Sequence, residues 1–126
     1  MGIADYIKSI LGNFYGKNSL MNLKDRLKNE FDIPECNIEI ERDANKDSRT
    51  GYIEIPKKDN VCPLSIERII TKFYSEFGFN TRETVGKNFI RFWNNNRSEA
   101  YFIKILEDGR SYSIDIDTAK FSKSFK

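Results

Sequence analysis

Residues 88–117 read NFIRFWNNNRSEAYFIKILEDGRSYSIDID, and this stretch decides the fold. Apolar and polar side chains alternate along three successive runs, as they do in β-strands that bury one face. Between the second and third runs stands Asp108-Gly109, a residue pair that favours a two-residue type I′ hairpin turn. The stretch therefore predicts a three-stranded antiparallel meander.

The predicted turn also sets a register for the meander. With Asp108 and Gly109 as the loop, Glu107 lies opposite Arg110, and the other pairs of that hairpin follow. The expected apolar pairs of the meander are Ile105 with Tyr112, Ile103 with Ile114, Tyr101 with Ile116, Phe92 with Tyr101 and Ile90 with Ile103. One face of the meander is therefore continuously apolar and is predicted to lie on the core.

The opposite face of the meander, which we call the reverse face, mixes aromatic and charged side chains. In the expected register it carries Lys87, Phe89, Arg91, Trp93, Phe102, Lys104, Leu106, Asp115 and Asp117. The expected neighbours on it are Arg91 with Phe102, Phe102 with Asp115, and Phe89 with Lys104. A face of this composition is either covered by a helix or used for binding. The expected cover is the helix predicted over residues 3–14, which would lie on Phe89, Trp93, Phe102 and Leu106. The candidate binding residues, for protein or nucleic acid, are Lys87, Phe89, Arg91, Trp93, Phe102 and Lys104.

Length and composition predict one folded domain over residues 1–126 without catalytic activity. The chain is 39% apolar and 13% aromatic, which is typical of a globular protein. Its 21 basic and 19 acidic residues give a net charge of +2, too weak a field for general attraction to phosphate backbones. The sequence contains no histidine, which removes the commonest general base and the usual nucleophile triads. We therefore expect no enzyme activity and no cofactor.

The cysteines and the N-terminal residues indicate a cytoplasmic protein. Cys36 and Cys62 match no paired-cysteine or zinc motif, and we expect both to be reduced thiols. We expect Cys36 to start a strand in the core and Cys62 to precede a helix. The first 14 residues include Asp5 and Lys8, so we expect neither a secretory signal nor a membrane span there.

Helical spacing of apolar residues predicts three helices. The first covers residues 3–14, with Ile3, Ile7, Ile10, Leu11 and Phe14 on one stripe. The second follows the cap signal Asn18-Ser19, carries Leu20, Leu23, Leu27 and Phe31, and ends before Pro34. The third covers residues 63–77, with Pro63 in its first turn, Gly78 as its stop, and Ile66, Ile69, Ile70, Phe73 and Phe77 inward.

Period-two alternation predicts further strands outside the meander. Residues 36–41 and 52–55 form an expected hairpin in which Ile40 pairs with Ile53 and Ile38 with Ile55. A weaker edge strand is expected over residues 79–85, with Thr81 and Glu83 inward and a turn at Gly86-Lys87. The predicted fold is α+β, in the order α-α-β-β-α-β-β-β with one optional further strand. Its antiparallel sheet of five to six strands ends in the C-terminal β-meander, with helix 63–77 on the Ile103 and Ile114 face.

The loop of the first hairpin contains a motif with oxygen-bearing side chains. Residues 43–54, DANKDSRTGYIE, resemble the calcium-binding loop of EF-hand proteins at its first, third, fifth and twelfth positions. The resemblance covers only this loop and implies Asp43, Asn45, Asp47 and Glu54 as metal ligands. Ser48 stands where the motif has glycine, and Pro56 would disrupt the helix that should follow. We therefore favour a polar hairpin loop.

Three classes of function remain for the reverse face. Its aromatic and basic side chains suit single-stranded nucleic acid, whose bases stack on rings while cations meet phosphates. Asp115 and Asp117 project from one side of a strand, about 7 Å apart, and could serve a carboxylate-dependent metal enzyme. The two carboxylates would repel phosphate, so our preferred hypothesis is a small cytoplasmic protein that binds another protein, as an inhibitor, immunity or accessory factor.

Overall fold

The computed structural model describes residues 18–41 and 49–121. Its elements are α1 (Leu20–Phe31), β1 (Glu39–Glu41), β2 (Gly51–Pro56), α2 (Pro63–Ser75), β3 (Thr81–Gly86), β4 (Phe89–Trp93), β5 (Glu99–Glu107) and β6 (Ser111–Lys120). The α+β class and the antiparallel sheet are confirmed, with the optional sixth strand present. Two helices, where three were predicted, lie in this part of the chain, and the helix expected over residues 3–14 lies outside the described residues.

The six strands form one sheet in the order β1-β2-β6-β5-β4-β3. Every pair of neighbouring strands is antiparallel. The meander β4-β5-β6 is confirmed, and the β1-β2 hairpin extends the sheet at β6 while β3 extends it at β4. The reverse face therefore continues from the meander onto an edge strand on one side and a hairpin on the other.

Local sequence signals account for the ends of α1. The hydroxyl of Ser19 accepts a hydrogen bond from the backbone N–H of Asn22 at 3.4 Å, as an N-cap does. At the other end Asp32 takes the left-handed conformation with φ 53°, two residues before Pro34. The predicted apolar stripe is buried: Leu20, Leu23, Leu27 and Phe31.

The start and stop of α2 also follow from sequence. Cys62 is the N-cap, as predicted, and its backbone N–H donates to the hydroxyl of Ser65 at 3.0 Å. Gly78, with φ 91°, ends the helix, while the N–H of Phe79 bonds the carbonyl of Tyr74 at 3.0 Å. Only a residue without a side chain takes this conformation at no steric cost.

The core lies between the two helices and one face of the sheet. Tyr74 of α2 has its ring centroid 4.3 Å from that of Tyr101 and 5.7 Å from that of Phe92. The predicted packing of this helix on the apolar side of the meander is therefore confirmed. Burying a large apolar side chain contributes about 1.5–3 kcal/mol. The fully enclosed residues include Leu23, Leu27, Ile53, Ile55, Ile66, Ile70, Phe92, Ile103, Ile114 and Ile116.

The register expected for the β5-β6 hairpin is wrong by two residues. The pairs are Ile103 with Ile116, Ile105 with Ile114, and Glu107 with Tyr112. Neither Asp108 nor Gly109 has the left-handed φ that a type I′ turn needs. Instead, the Asp108 N–H bonds the carbonyl of Ser111 at 2.9 Å, and the Asp108 carboxylate accepts the N–H of Gly109 at 2.7 Å. A two-residue shift keeps every side chain on its predicted face but changes its partner.

The segment before β1 also differs from the prediction. Glu35–Asn37 forms a 3-10 turn, in which the Asn37 N–H bonds the Pro34 carbonyl at 2.9 Å. Cys36 is therefore exposed and not a core strand residue. Ile40 pairs with Ile53 as expected, whereas Ile38 is buried just ahead of the strand.

The edge strand β3 is present but with the opposite facing. Thr81 pairs with Trp93 and Glu83 with Arg91, so both lie on the reverse face and not inward. A register shift between Thr84 and Gly86 marks a bulge near the turn, which sequence alternation does not reveal.

Candidate functional site

The most organised part of the reverse face surrounds Trp93 of β4. Its indole Nε1 donates a hydrogen bond to the carboxylate of Glu83 on β3. The same carboxylate lies 3.2 Å from an Arg91 guanidinium nitrogen and 3.7 Å from one of Arg97. We call Glu83, Arg91, Trp93 and Arg97 the tryptophan cluster. One carboxylate thus holds three side chains from a strand and a loop.

The ring of Trp93 contacts cations as well as an aromatic side chain. The guanidinium carbons of Arg91 and Arg97 lie 5.1 and 5.4 Å from its centroid, within the range of cation–π attraction. The Phe121 ring lies 5.0 Å away, tilted by 41°. These contacts preorganise the indole on the sheet.

The β4-β5 loop places Arg97 in this cluster. The Arg97 N–H bonds the carbonyl of Asn94 at 3.1 Å, and the Asn94 side chain accepts the N–H of Glu99 at the same distance. Arg97 itself has φ 56°, an uncommon conformation for a residue with a side chain. The loop is therefore held by its own asparagine, and the arginine is aimed by the backbone.

Electrostatics favour a charged carboxylate at Glu83. The hydrogen bond from Arg91 is the main cause that lowers its pKa, followed by the hydrogen bond from Trp93 and the charges of Arg91 and Arg97. At neutral pH the cluster therefore contains one negative and two positive charges, with the acid placed between the bases.

A second group of aromatic and basic residues continues the face onto β5. Phe89 pairs with Lys104 and Arg91 with Phe102, as predicted. The Lys104 Nζ lies 5.7 Å from the Phe89 centroid, and the Arg91 guanidinium carbon lies 5.8 Å from that of Phe102. Leu106, further along β5, is 42% exposed. Apolar rings and cationic stems therefore cover the centre of the sheet.

Carboxylates line the next strand. Asp117 pairs with Phe102 and Asp115 with Lys104, whereas the expected partner of Phe102 was Asp115. The correction follows from the two-residue shift of the hairpin. Asp117 is exposed. The reverse face is thus basic and aromatic on β4 and β5 and acidic on β6.

Five of the six candidate residues share this face, and one does not. Lys87 lies outside the paired strands, in the turn between β3 and β4, and is exposed there. The sequence did not identify Glu83 and Arg97 as members of the site, since Glu83 was expected to face inward and Arg97 lies in a loop. The bulge hides the facing of Glu83, and no sequence signal marks a loop arginine as part of a sheet face.

Among the described residues, the surroundings of Glu54 differ from those of an EF-hand ligand. Glu54 lies on β2, and its carboxylate accepts a hydrogen bond from the Ser111 hydroxyl at 3.0 Å. The strand Gly51–Pro56 stands where an EF-hand would begin its second helix. Asp43, Asn45 and Asp47 lie outside the described residues. Within 18–41 and 49–121, no three acidic or cysteine side chains are grouped to hold a metal.

Both described helices pack on the opposite face of the sheet. The helix expected to cover the reverse face, over residues 3–14, lies outside the described residues. Among the helices that are described, none combines the length and the apolar character needed to cross a membrane. Comparison with protein-family models, with curated proteins and with solved structures returned no match for this chain.

Proposed function

We propose that this chain is a small cytoplasmic protein without catalytic activity that binds another protein through its reverse face. Its biological role would be that of an inhibitor, an immunity protein or an accessory factor. The observation that carries the proposal is the tryptophan cluster, a preorganised group of aromatic and arginine side chains on the sheet face opposite the described helices. The exposed free cysteines Cys36 and Cys62 suit a reducing compartment.

Tryptophan and arginine are the residue types that most often dominate the energy of protein interfaces. Trp93 and Arg91 are half-buried, and their contacts with Glu83 fix their positions before any partner arrives. Side chains that are already ordered lose less conformational entropy on binding, and this raises affinity.

The charge of the face supports a protein partner over nucleic acid. Three cations, Arg91, Arg97 and Lys104, stand beside three carboxylates, Glu83, Asp115 and Asp117. Binding to a nucleic acid depends on uncompensated positive charge that releases counterions from the phosphates. A balanced face lacks that driving force.

The surroundings of Trp93 also argue against a base-stacking platform. Arg91, Arg97 and Phe121 already contact its ring. A nucleic-acid base would have to displace at least one of them to stack, whereas a protein partner can pack against the edge of the cluster as it stands.

The distribution of charge on this face supports a partner with complementary features. Arg97 is 58% exposed at its side chain and can accept a carboxylate from outside, while Asp117 on β6 can accept a cation. Between them lies Phe102, which pairs with Asp117 and fits an apolar patch. We therefore expect a partner with an apolar centre and opposite charges on its two sides.

Fluorescence of Trp93, the single tryptophan of the chain, tests whether this face is available. In the full chain we expect emission that acrylamide quenches, and little change when Ile7→Asp disrupts the apolar stripe of residues 3–14. Protected emission that becomes quenchable in Ile7→Asp would show instead that this segment covers the face. A salt-dependent shift of the emission with single-stranded oligonucleotide would favour the nucleic-acid alternative.

A further inference from the structure

An open groove lies on the helix side of the sheet, at the edge beside α2. Its walls are the outer side of α2 and the edge strand β3, and its volume is about 320 Å³. Leu64, the apolar residue of its lining, is 64% exposed. Its lining residues are Leu64, Glu67, Arg68, Thr71, Lys72 and Arg82.

The direction of backbone hydrogen bonds in β4 shows which groups of β3 face outward. The Asn94 N–H bonds the carbonyl of Glu99 at 3.2 Å, and the Ile105 N–H bonds that of Asn88 at 2.8 Å. Because successive residues of a strand alternate in direction, the even-numbered residues of β4 point their backbone groups at β5. Its odd-numbered residues therefore point theirs at β3.

Those odd-numbered residues pair with Thr81 and Glu83 of β3. The backbone N–H and C=O groups of Thr81 and Glu83 thus point toward β4. Those of Arg82 and Thr84 point outward from the edge of the sheet. Among the described residues, no backbone hydrogen bond from a turn or loop reaches Arg82 or Thr84. The outer edge of β3 therefore presents two residues that are ready to pair with another strand.

Features that usually protect a sheet edge are weak here. An edge is commonly blocked by lysine, by proline, by free charges or by being very short. The strand β3 has six residues with neither lysine nor proline. Its Arg82 is held by Glu67 of α2, and its Glu83 by the tryptophan cluster. By contrast, the other edge strand, β1, has only three residues.

We propose that this groove binds an extended peptide segment of a partner protein, which adds a strand to β3. The backbone of the peptide pairs with the N–H and C=O groups of Arg82 and Thr84. Every second side chain of the peptide then lies over the groove, where one apolar side chain packs on Leu64. The bulge after Thr84 limits the regular pairing to the first four residues of β3.

Charge sets the chemistry of that peptide. Arg68, Lys72 and Arg82 surround the groove with three positive charges, and Glu67 supplies one negative charge. Since Arg82 pairs with Glu67, the remaining positive potential comes from Arg68 and Lys72. The groove therefore selects an extended segment with an apolar residue flanked by Asp or Glu. The proposal does not depend on the reverse face, which lies on the other side of the sheet.

Selection of peptides of about ten residues from a display library against the full chain tests the proposal. We expect a consensus with acidic residues around an apolar one. The amide resonances of Arg82 and Thr84 should shift when the consensus peptide is added. Methylating alternate backbone nitrogens of the peptide should abolish binding. Failure of every selected peptide to bind at about 1 mM, or a basic consensus, would overturn the proposal.

Matched variants separate backbone pairing from side-chain contact. Thr84→Pro removes the outward N–H and should weaken binding of the consensus peptide about tenfold, whereas Thr84→Ala retains it and should bind as the wild type does. Leu64→Glu, at an exposed helix position, should weaken binding of the consensus peptide by a similar factor. If Thr84→Pro does not fold, Leu64→Glu alone tests whether the peptide binds in the groove. Arg110→Ala should bind normally, since Arg110 is exposed in the β5-β6 turn and lines neither the groove nor the tryptophan cluster. Wild-type affinity in Leu64→Glu and in a folded Thr84→Pro would contradict strand addition.

Discussion

The indole of Trp93 donates a hydrogen bond to the carboxylate of Glu83 on the neighbouring edge strand. Glu83 thus connects the edge strand β3 to Trp93 and fixes the position of the indole on the reverse face. Arg91 and Arg97 bind the same carboxylate. Glu83 therefore orders the side chains of the candidate interface, and its protonation should release them.

Acid should therefore loosen the environment of Trp93. The pKa of Glu83 is lowered from its usual 4.5, chiefly by the Arg91 hydrogen bond. A carboxyl group whose pKa is lower in the folded state stabilises the fold above its unfolded pKa, and that contribution is lost as pH falls through the folded value. Trp93 emission should change below pH 4.5, and Glu83→Gln should lack that transition. A transition that persists unchanged in Glu83→Gln would contradict the assignment.

Two neighbouring aromatic residues should differ strongly in their contribution to stability. Phe92 is 0% exposed on the core face, while Trp93 is half-buried on the reverse face. We expect Phe92→Ala to lower the free energy of unfolding by about 3–5 kcal/mol. Trp93→Ala should lower it by only about 1–2 kcal/mol because less surface is buried. Urea denaturation measures both, and equal losses would show that Trp93 is a core residue.

The corrected hairpin turn predicts opposite effects of alanine at two glycines. Gly109 has no left-handed φ, and an added Cβ meets nothing within 4 Å. Gly109→Ala should therefore stabilise the protein by about 0.4–1 kcal/mol, through a less flexible unfolded chain. Gly78 has φ 91°, so Gly78→Ala should lower the stability of the protein by about 1 kcal/mol or more. Thermal denaturation measures both changes, and destabilisation by Gly109→Ala would favour the type I′ turn.

Removing the buried hydroxyl of Tyr74 should stabilise the protein. The side chain is fully buried, and its hydroxyl has no hydrogen-bond partner within the described residues. Tyr74→Phe should raise the free energy of unfolding by about 1–2 kcal/mol, since an unsatisfied polar group is no longer buried.

Alkaline unfolding provides a second test of the same residue. Burial raises the pKa of Tyr74 well above 10, and that of Tyr101 to about 12. The stability that these neutral, buried tyrosines contribute is fully present below the unfolded pKa of 10. It is lost as pH rises toward the folded pKa values. Tyr74→Phe should lose less stability above pH 10 than the wild type, with Tyr101 causing the remainder. An identical pH dependence in both proteins would contradict the buried, neutral state of Tyr74.

Periodicity predicted the elements well because it reports burial directly. The stripe of α1 from Leu20 to Phe31 and the apolar face of the meander follow from spacing alone. The register of the last hairpin does not follow from spacing, because Asp108-Gly109 also fits other turns and only backbone dihedral angles distinguish them. A shift by two residues leaves burial unchanged, so the apolar pattern cannot detect it.

Sequence alone predicted only part of the candidate site. Alternation placed Phe89, Arg91 and Trp93 on one face, because strand facing follows from period two. Glu83 and Arg97 could not be found this way. Glu83 lies within β3, whose pairing with β4 shifts at a bulge, and Arg97 reaches the cluster from a loop.

Quantitative affinity capture from the native source tests the central claim most directly. Arg97→Glu reverses an exposed charge of the tryptophan cluster, and Arg110→Glu reverses an exposed charge in the distant β5-β6 turn as a control. We predict that the wild type and Arg110→Glu retain the same protein in near-equal molar amount, and that Arg97→Glu loses it. Equal capture by all three proteins, or recovery of nucleic acid in place of a protein, would contradict a protein-binding reverse face.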